Sequence, residues 1–238
     1  MANSYFQFKQ FTVNQEKATM KVCTDACLFG AWIAEKIHNT QGITNILDVG
    51  TGTGLLSLML AQKSSAFIDA VEIETEAAEQ ARENFTASAF KERIKVIEGD
   101  IRNLEFKKVY ELIISNPPFY ENDLKSNNQK KNYALHSKTL RFDALISKTV
   151  TLLDPAGTFA VLLPYHRTQA FLDAAIPYNL YSKEQVSIRQ TEKHPYFRSI
   201  LCLSKNESET SKSEIIIKKE EQYSCEFVAL LKDYYLHL

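Results

Sequence analysis

Between residues 46 and 163, short runs in which nearly every position is apolar alternate with longer stretches in which apolar residues recur every three or four. The first spacing predicts strands buried on both faces, and the second predicts helices packed by one face. Strands are expected at 46–49, 67–73, 94–97, 111–115 and 157–163, the last closed by Pro164. Helices are expected near 55–62, 75–87, 142–153 and 168–175, which gives a parallel sheet with helices on both faces. Ahead of the first strand, 24–37 has helical spacing, with Thr24 as N-cap and Asp25 in the first turn, where a negative charge meets the helix dipole.

The last third changes character. Segments 185–189 and 200–204, joined by a polar loop, predict an antiparallel pair at one sheet edge. A polar connector at 206–213, a short edge strand at 214–218 and an amphipathic helix at 225–236 follow. Phe227, Leu230, Leu231 and Tyr234 share one face of that helix. No repeat or second core is evident, so 1–238 reads as one domain. Within it, 1–40 lines the site, 41–165 forms the binding and catalytic core, and 166–238 completes the sheet and adds the terminal helix.

Charge alters this picture little. The 28 Lys and Arg nearly balance 29 Asp and Glu, so any hold on a polyanion must come from local basic clusters. Neither a basic-then-apolar leader nor a run of ~18 apolar residues is seen, which points to a cytoplasmic protein with no membrane partner. Cys23, Cys27, Cys202 and Cys225 lie in apolar settings without CxxC pairs, so they are expected to be buried free thiols with neither a metal nor a disulfide. No long apolar surface segment demands an oligomer, and a monomer is the default.

Candidate chemistry enters where the first strand ends. Asp48, Gly50, Thr51, Gly52 and Gly54 form a glycine-rich strand-to-helix turn, the place where open α/β sheets bind nucleotide-like ligands. Glu72, followed by Ile73, ends the second strand, where a carboxylate can accept from both ribose hydroxyls of an adenosine. Asp100, followed by Ile101, ends the third and is placed for the adenine amino group. The spacing GxGxG differs from the GxGxxG of dinucleotide sites, and no Lys-Ser or Lys-Thr follows as in an ATP loop. S-adenosylmethionine is therefore the expected cofactor.

The fourth strand opens directly into Asn116, Pro117, Pro118 and Phe119. An exocyclic base amine is a poor nucleophile because its lone pair is delocalised into the ring. The Asn116 side-chain oxygen and the Pro117 carbonyl could each accept one N–H and turn that lone pair towards a methyl donor, while Phe119 stacks on the base. Positioning rather than a strong general base would carry the rate. Beyond this motif, 120–141 is locally basic, and Lys125, Lys130, Lys131, His136, Lys138 and Arg141 are candidate RNA contacts. A second cluster holds Lys193, His194, Tyr196, Phe197 and Arg198.

The glycine turn and the Asn-Pro-Pro-Phe motif, in this order, resemble those of class I methyltransferases acting on amino groups of nucleic-acid bases. The N-terminal run from Phe8 to Val13 and from Met20 to Trp32 is similar to that of the bacterial tRNA1(Val) adenine-N6 methyltransferase family. The resemblance covers most of residues 6–165. It implies a Rossmann-like fold with a mostly parallel seven-stranded sheet and one antiparallel edge strand. It also implies methylation at N6 of adenosine 37, next to the anticodon, so that the partner is the anticodon stem-loop region of a tRNA. By motif, Asn116 to Phe119 would hold the base, Gly50 and Gly52 the cofactor and Glu72 its ribose, while Lys21, Thr24 and Asp25 would line the cleft. An rRNA or DNA amino-methyltransferase, a protein glutamine methyltransferase and a non-catalytic scaffold are the alternatives.

Overall fold

The computed structural model describes residues 3–18, 20–117 and 142–238. Its main sheet has eight strands: β3 (Asn45–Val49), β4 (Phe67–Glu72), β5 (Ile94–Glu98), β6 (Tyr110–Ser115), β7 (Leu153–Pro164), β8 (Tyr181–Arg189), β9 (Tyr196–Ser204) and β10 (Ser211–Ile216). They lie in the order β10-β8-β9-β7-β6-β3-β4-β5. All are parallel to their neighbours except β9, which runs antiparallel to both β7 and β8. Two small hairpins stand apart, β1 (Tyr5–Gln7) with β2 (Thr12–Asn14) and β11 (Lys218–Lys219) with β12 (Gln222–Tyr223).

Side chains alternate across the central strands and so fill two cores. Ile46, Leu112, Ile114, Ala160, Leu162, Ile200 and Cys202 face one of them. It is closed by α1 (Thr24–His38), α2 (Leu55–Lys63) and α6 (Cys225–Leu231), with Ala81 and Phe85 of α3 (Thr75–Thr86). Leu47, Val49, Ile113, Phe159, Val161, Leu163, Leu201 and Leu203 face the other, beneath α4 (Phe142–Leu152) and α5 (Thr168–Ala175). The residues of α2 from Leu55 to Ala61 are all buried, as expected of a helix sandwiched between α1 and the sheet.

The α/β class and the parallel core match the sequence pattern, and four details differ. The sheet has the eight strands of the sequence pattern rather than the seven that the resemblance implies, and the edge strand expected at 214–218 begins earlier, as β10 at Ser211. The antiparallel strand is interior rather than at an edge. Ile200 to Leu203 is apolar on both faces, and such a strand is stable only between two neighbours. The N-cap of α1 is Cys23 in extended conformation, which leaves Thr24 as the first helical residue. The terminal helix also stops at Leu231, yet Tyr234 stays buried and donates to the Met59 carbonyl at 3.0 Å.

The cysteines divide as well. Cys27 and Cys202 are buried and burial pushes both thiols up to about 12, but Cys23 is half-buried and Cys225 is exposed at the start of α6. Among the described residues, no helix is long and apolar enough to cross a membrane.

Candidate active site

The C-terminal ends of β6, β3, β4 and β5 lie side by side, since Val49 pairs with both Ser115 and Val71, and Val71 with Ile97. Residues that follow these positions are thereby brought to one rim. Between β3 and α2 the chain turns tightly: Gly50 and Thr51 donate their N–H to the Val71 carbonyl at 2.9 and 3.0 Å, and Gly54 donates to the Thr51 carbonyl at 2.9 Å. Gly54 has φ +84°, and a Cβ there would meet the Phe85 ring at 2.3 Å, so the turn is packed down onto α3. At Gly50, φ is +77° and a Cβ would find nothing within 4 Å. The backbone is thus open to space at Gly50 and closely packed at Gly54.

Asp48 lies beneath the turn with no solvent exposure. Its Oδ2 accepts from the Thr51 hydroxyl at 2.6 Å and the Ser57 hydroxyl at 2.7 Å, while Oδ1 is buried without a partner. Burial pushes its carboxyl up to about 6, against the pull of those two hydroxyls. An orphaned anionic acceptor below an open glycine turn suits a ligand carrying a cationic amino group, such as the methionine end of S-adenosylmethionine. Thr51 turns its side chain inwards to Asp48, so only its backbone is left to face a ligand.

Glu72 is 7% exposed, and its carboxylate is already busy. Oε2 accepts from the Gly52 N–H at 2.8 Å, and Oε1 accepts from Ile73 at 2.9 Å and Glu74 at 3.0 Å. A carboxylate offers about four lone-pair sites. Gripping both ribose hydroxyls therefore requires release of one backbone N–H. Ile73 is 45% exposed at the same strand end and offers an apolar surface to a base.

Asp100 sits on the rim too, and Arg102 holds both of its oxygens, through Nε at 2.9 and 2.8 Å and through Nη2. That guanidinium holds its carboxyl below the usual carboxylate range. Ile101 is core rather than lining, buried in the same cluster as Leu47 and Val49.

The Ser115 hydroxyl donates to the Val49 carbonyl at 2.7 Å and locks the end of β6 to the end of β3. Asn116 then follows beside Gly50. It is half-buried, and its side-chain amide has no hydrogen bond among the described residues, while Pro117 is buried. Pro118 and Phe119 lie outside the described residues, as do Lys125, Lys130, Lys131, His136, Lys138 and Arg141. Lys21 and Thr24 are exposed at the entry to α1. Arg198 is not a free cation: its Nε donates to Asp25 at 2.7 Å and Nη1 to the Phe197 carbonyl at 3.2 Å. This pair ties the start of α1 to the start of β9.

Sequence reasoning missed Asn84. Buried in α3, it accepts from the Asn14 N–H at 2.9 Å and donates to the carbonyls of Asn14 and Thr53, both at 2.8 Å. It clamps the N-terminal hairpin to the glycine turn. Asparagine is a weak helix former, and its place among Ala77, Ala81 and Phe85 on the inward side of α3 was the available signal.

The family described as "Methyltransferase small domain" matches residues 31–166. Over 239 residues the chain is 38% identical to a tRNA1(Val) (adenine(37)-N6)-methyltransferase of Phocaeicola vulgatus, covering all of both chains. Over 243 residues it is 40% identical to the protein of the same name from Cytophaga hutchinsonii, again covering all of both. The fold is similar to that of a protein described as a predicted O-methyltransferase from Agrobacterium tumefaciens, with TM-score 0.68, 18% identity and coverage of 88% of this chain and 96% of that one. With its glycine turn, its Asn116 and full-length matches of this kind, the chain belongs to the methyltransferase small domain family and, within it, to the family of tRNA1(Val) (adenine(37)-N6)-methyltransferases.

Proposed function

We propose that this chain methylates N6 of adenosine 37, beside the anticodon of tRNA1(Val), the activity for which its relatives are named. When bound, S-adenosylmethionine supplies an activated methyl group on its sulfonium. The chain supplies position. Gly50, Gly52 and the orphaned Asp48 Oδ1 hold the methionine end, Glu72 the ribose, and Ile73 and Asp100 the adenine, with Lys21 and Thr24 at the cleft mouth. The Asn116 side-chain oxygen and the Pro117 carbonyl accept the two N–H of the target amine, and Pro118 and Phe119 complete the base clamp. The proton is acidic once the nitrogen is alkylated and leaves to water, so no buried base is needed.

The observation that carries this reading is the Ser115–Val49 bond, which holds an Asn116 with no hydrogen-bond partner among the described residues next to an open glycine turn. The anticodon stem-loop is the proposed contact region, with Lys125, Lys130, Lys131, His136, Lys138 and Arg141 as its phosphate ligands. Arg198, neutralised by Asp25, is a weaker member of that set. We further infer one cytoplasmic domain acting as a monomer.

The test is incubation with labelled S-adenosylmethionine and tRNA from a strain lacking the activity, followed by digestion and mass spectrometry of nucleosides. N6-methyladenosine is expected, with turnover falling on the order of 100-fold or more in Asn116→Ala. Label in ribosomal RNA or protein, and none in tRNA, would overturn the substrate assignment.

A further inference from the structure

Beyond the catalytic strand end, the rim carries a second constellation that the proposed chemistry does not use. β7 lies next to β6, and Ser115 pairs with Val161, which puts Asn116 level with Leu162. Tyr165 follows three positions farther on, in a short turn at Tyr165–Arg167. From the strand spacing and rise, it stands roughly 10 Å from Asn116. Facing it is Tyr196, at the start of β9, with ring centroids 5.0 Å apart and an interplanar angle of 39°.

Tyr196 is well anchored. Its hydroxyl donates to Glu214 Oε2 at 2.6 Å, and the Arg189 guanidinium lies 5.3 Å from its ring centre. Tyr165 leans on this fixed ring and is itself 37% exposed, with no hydrogen bond from its hydroxyl among the described residues. Basic residues lie near it along the chain. His166, next to Tyr165, and Lys193, three residues before Tyr196, are exposed and form no ion pair among the described residues, whereas the Arg167 guanidinium is turned to the Phe142 ring, 5.1 Å from its centre. Sheet-edge packing accounts for Tyr196. It does not account for an aromatic ring left open to water next to His166 and near Lys193, neither of them ion-paired among the described residues.

An exposed ring on a rigid support, with exposed basic side chains near it in the chain, has the chemistry of a single-stranded nucleic-acid site: a base stacks on the ring and its phosphates meet the basic groups. We propose that Tyr165, backed by Tyr196, stacks an unpaired loop base adjacent to the one being methylated, with Lys193 on a flanking phosphate. The inference rests on the substrate reading above and adds a residue to it: Tyr165 positions the RNA so that the target amine reaches Asn116. Stacking accepts any base, so this contact sets register and not sequence.

Full-length protein, a synthetic anticodon stem-loop RNA and intact tRNA provide the test. Tyr165→Ala is expected to raise the Kd for the stem-loop about tenfold, within the range for losing one base–aromatic stack. The KM for tRNA should rise in proportion, with S-adenosylmethionine affinity and Tm as in the parent. Tyr165→Phe should bind like the parent and Tyr165→Leu like the alanine variant, because only the aromatic face matters. RNA affinity in Tyr165→Ala within twofold of the parent, or equal rescue by leucine and phenylalanine, would overturn the platform while leaving the methylation assignment intact. A parent protein that neither binds nor methylates tRNA would remove both.

Discussion

Alanine at Gly50 and at Gly54 should produce opposite defects, although the two glycines are four residues apart in one turn. Both have positive φ, +77° and +84°, so each alanine costs about 1–2 kcal/mol of backbone strain. At Gly54 the new methyl would lie 2.3 Å from Phe85 Cε1 and 2.7 Å from Cζ, atoms of a ring that is 3% exposed. Overpacking of that kind adds about 1–3 kcal/mol, for a total of about 2–5 kcal/mol. At Gly50 the methyl meets no protein atom within 4 Å, but it fills the space assigned to the cofactor's methionine end. Urea unfolding of the ligand-free protein and calorimetric titration with S-adenosylmethionine separate the two effects. Gly54→Ala should lose the greater stability, and Gly50→Ala should lose about tenfold or more in affinity while losing no more than the backbone term in stability. Adding Phe85→Leu tests the clash itself: its cost should shrink by about 0.5–3 kcal/mol when Gly54 is already alanine. Strictly additive energies, or a Gly50→Ala protein that binds the cofactor as tightly as the parent, would refute the reasoning.

Two further outcomes follow from the carboxylates under the turn. Asp48 titrates near 6 when folded and near 3.8 otherwise. The folded state thus holds the extra proton, and stability should fall by about 3 kcal/mol as pH rises from 4 to 6, then level off. Asp48→Asn should erase that slope, and an unchanged pH profile by urea unfolding would sink the assignment. In Glu72→Gln one oxygen becomes a donor facing the N–H groups of Gly52, Ile73 and Glu74, so stability should drop by about 1–3 kcal/mol and cofactor affinity with it. A Tm equal to that of the parent would contradict the hydrogen bonds described.

The glycine turn, the four parallel strand ends and Asn116 were legible in the sequence because each is a local signal. A buried parallel strand is written as four or five consecutive apolar residues, and a turn at positive φ is written as glycine. The order of strands in space is not local. Whether 196–204 pairs at an edge or slots between β7 and β8 depends on which neighbours cover its two faces, and the apolar run at Ile200 to Leu203 states only that both are covered. The same holds for the N-terminal hairpin, whose short strands have little periodicity and are held by Asn84 from 70 residues away.

Charge is harder still to read, because a sequence gives the sign of a side chain but not whether a partner has already neutralised it. Arg198 and Tyr165 make the point from opposite directions. Arg198 stands in the most basic stretch of its loop and looks like a phosphate ligand, yet Asp25, 173 residues earlier, takes its Nε. Desolvating that pair to reach RNA would cost interaction already made, so the arginine gains little from a phosphate. Tyr165 follows a strand-ending proline in a segment with no basic run and gives no sequence signal. It becomes a candidate only when the sheet order sets β9 against β7 and brings Tyr196 behind it. Asp100 and Arg102 repeat the lesson within three residues: the carboxylate expected to greet adenine is held at both oxygens by its neighbour, so an adenine amine would have to share it. Spare capacity in hydrogen bonding and stacking, rather than residue type, therefore separates the strong site candidates here, Asn116, the Asp48 Oδ1 and the Tyr165 ring, from residues that carry the right chemistry but have already used it.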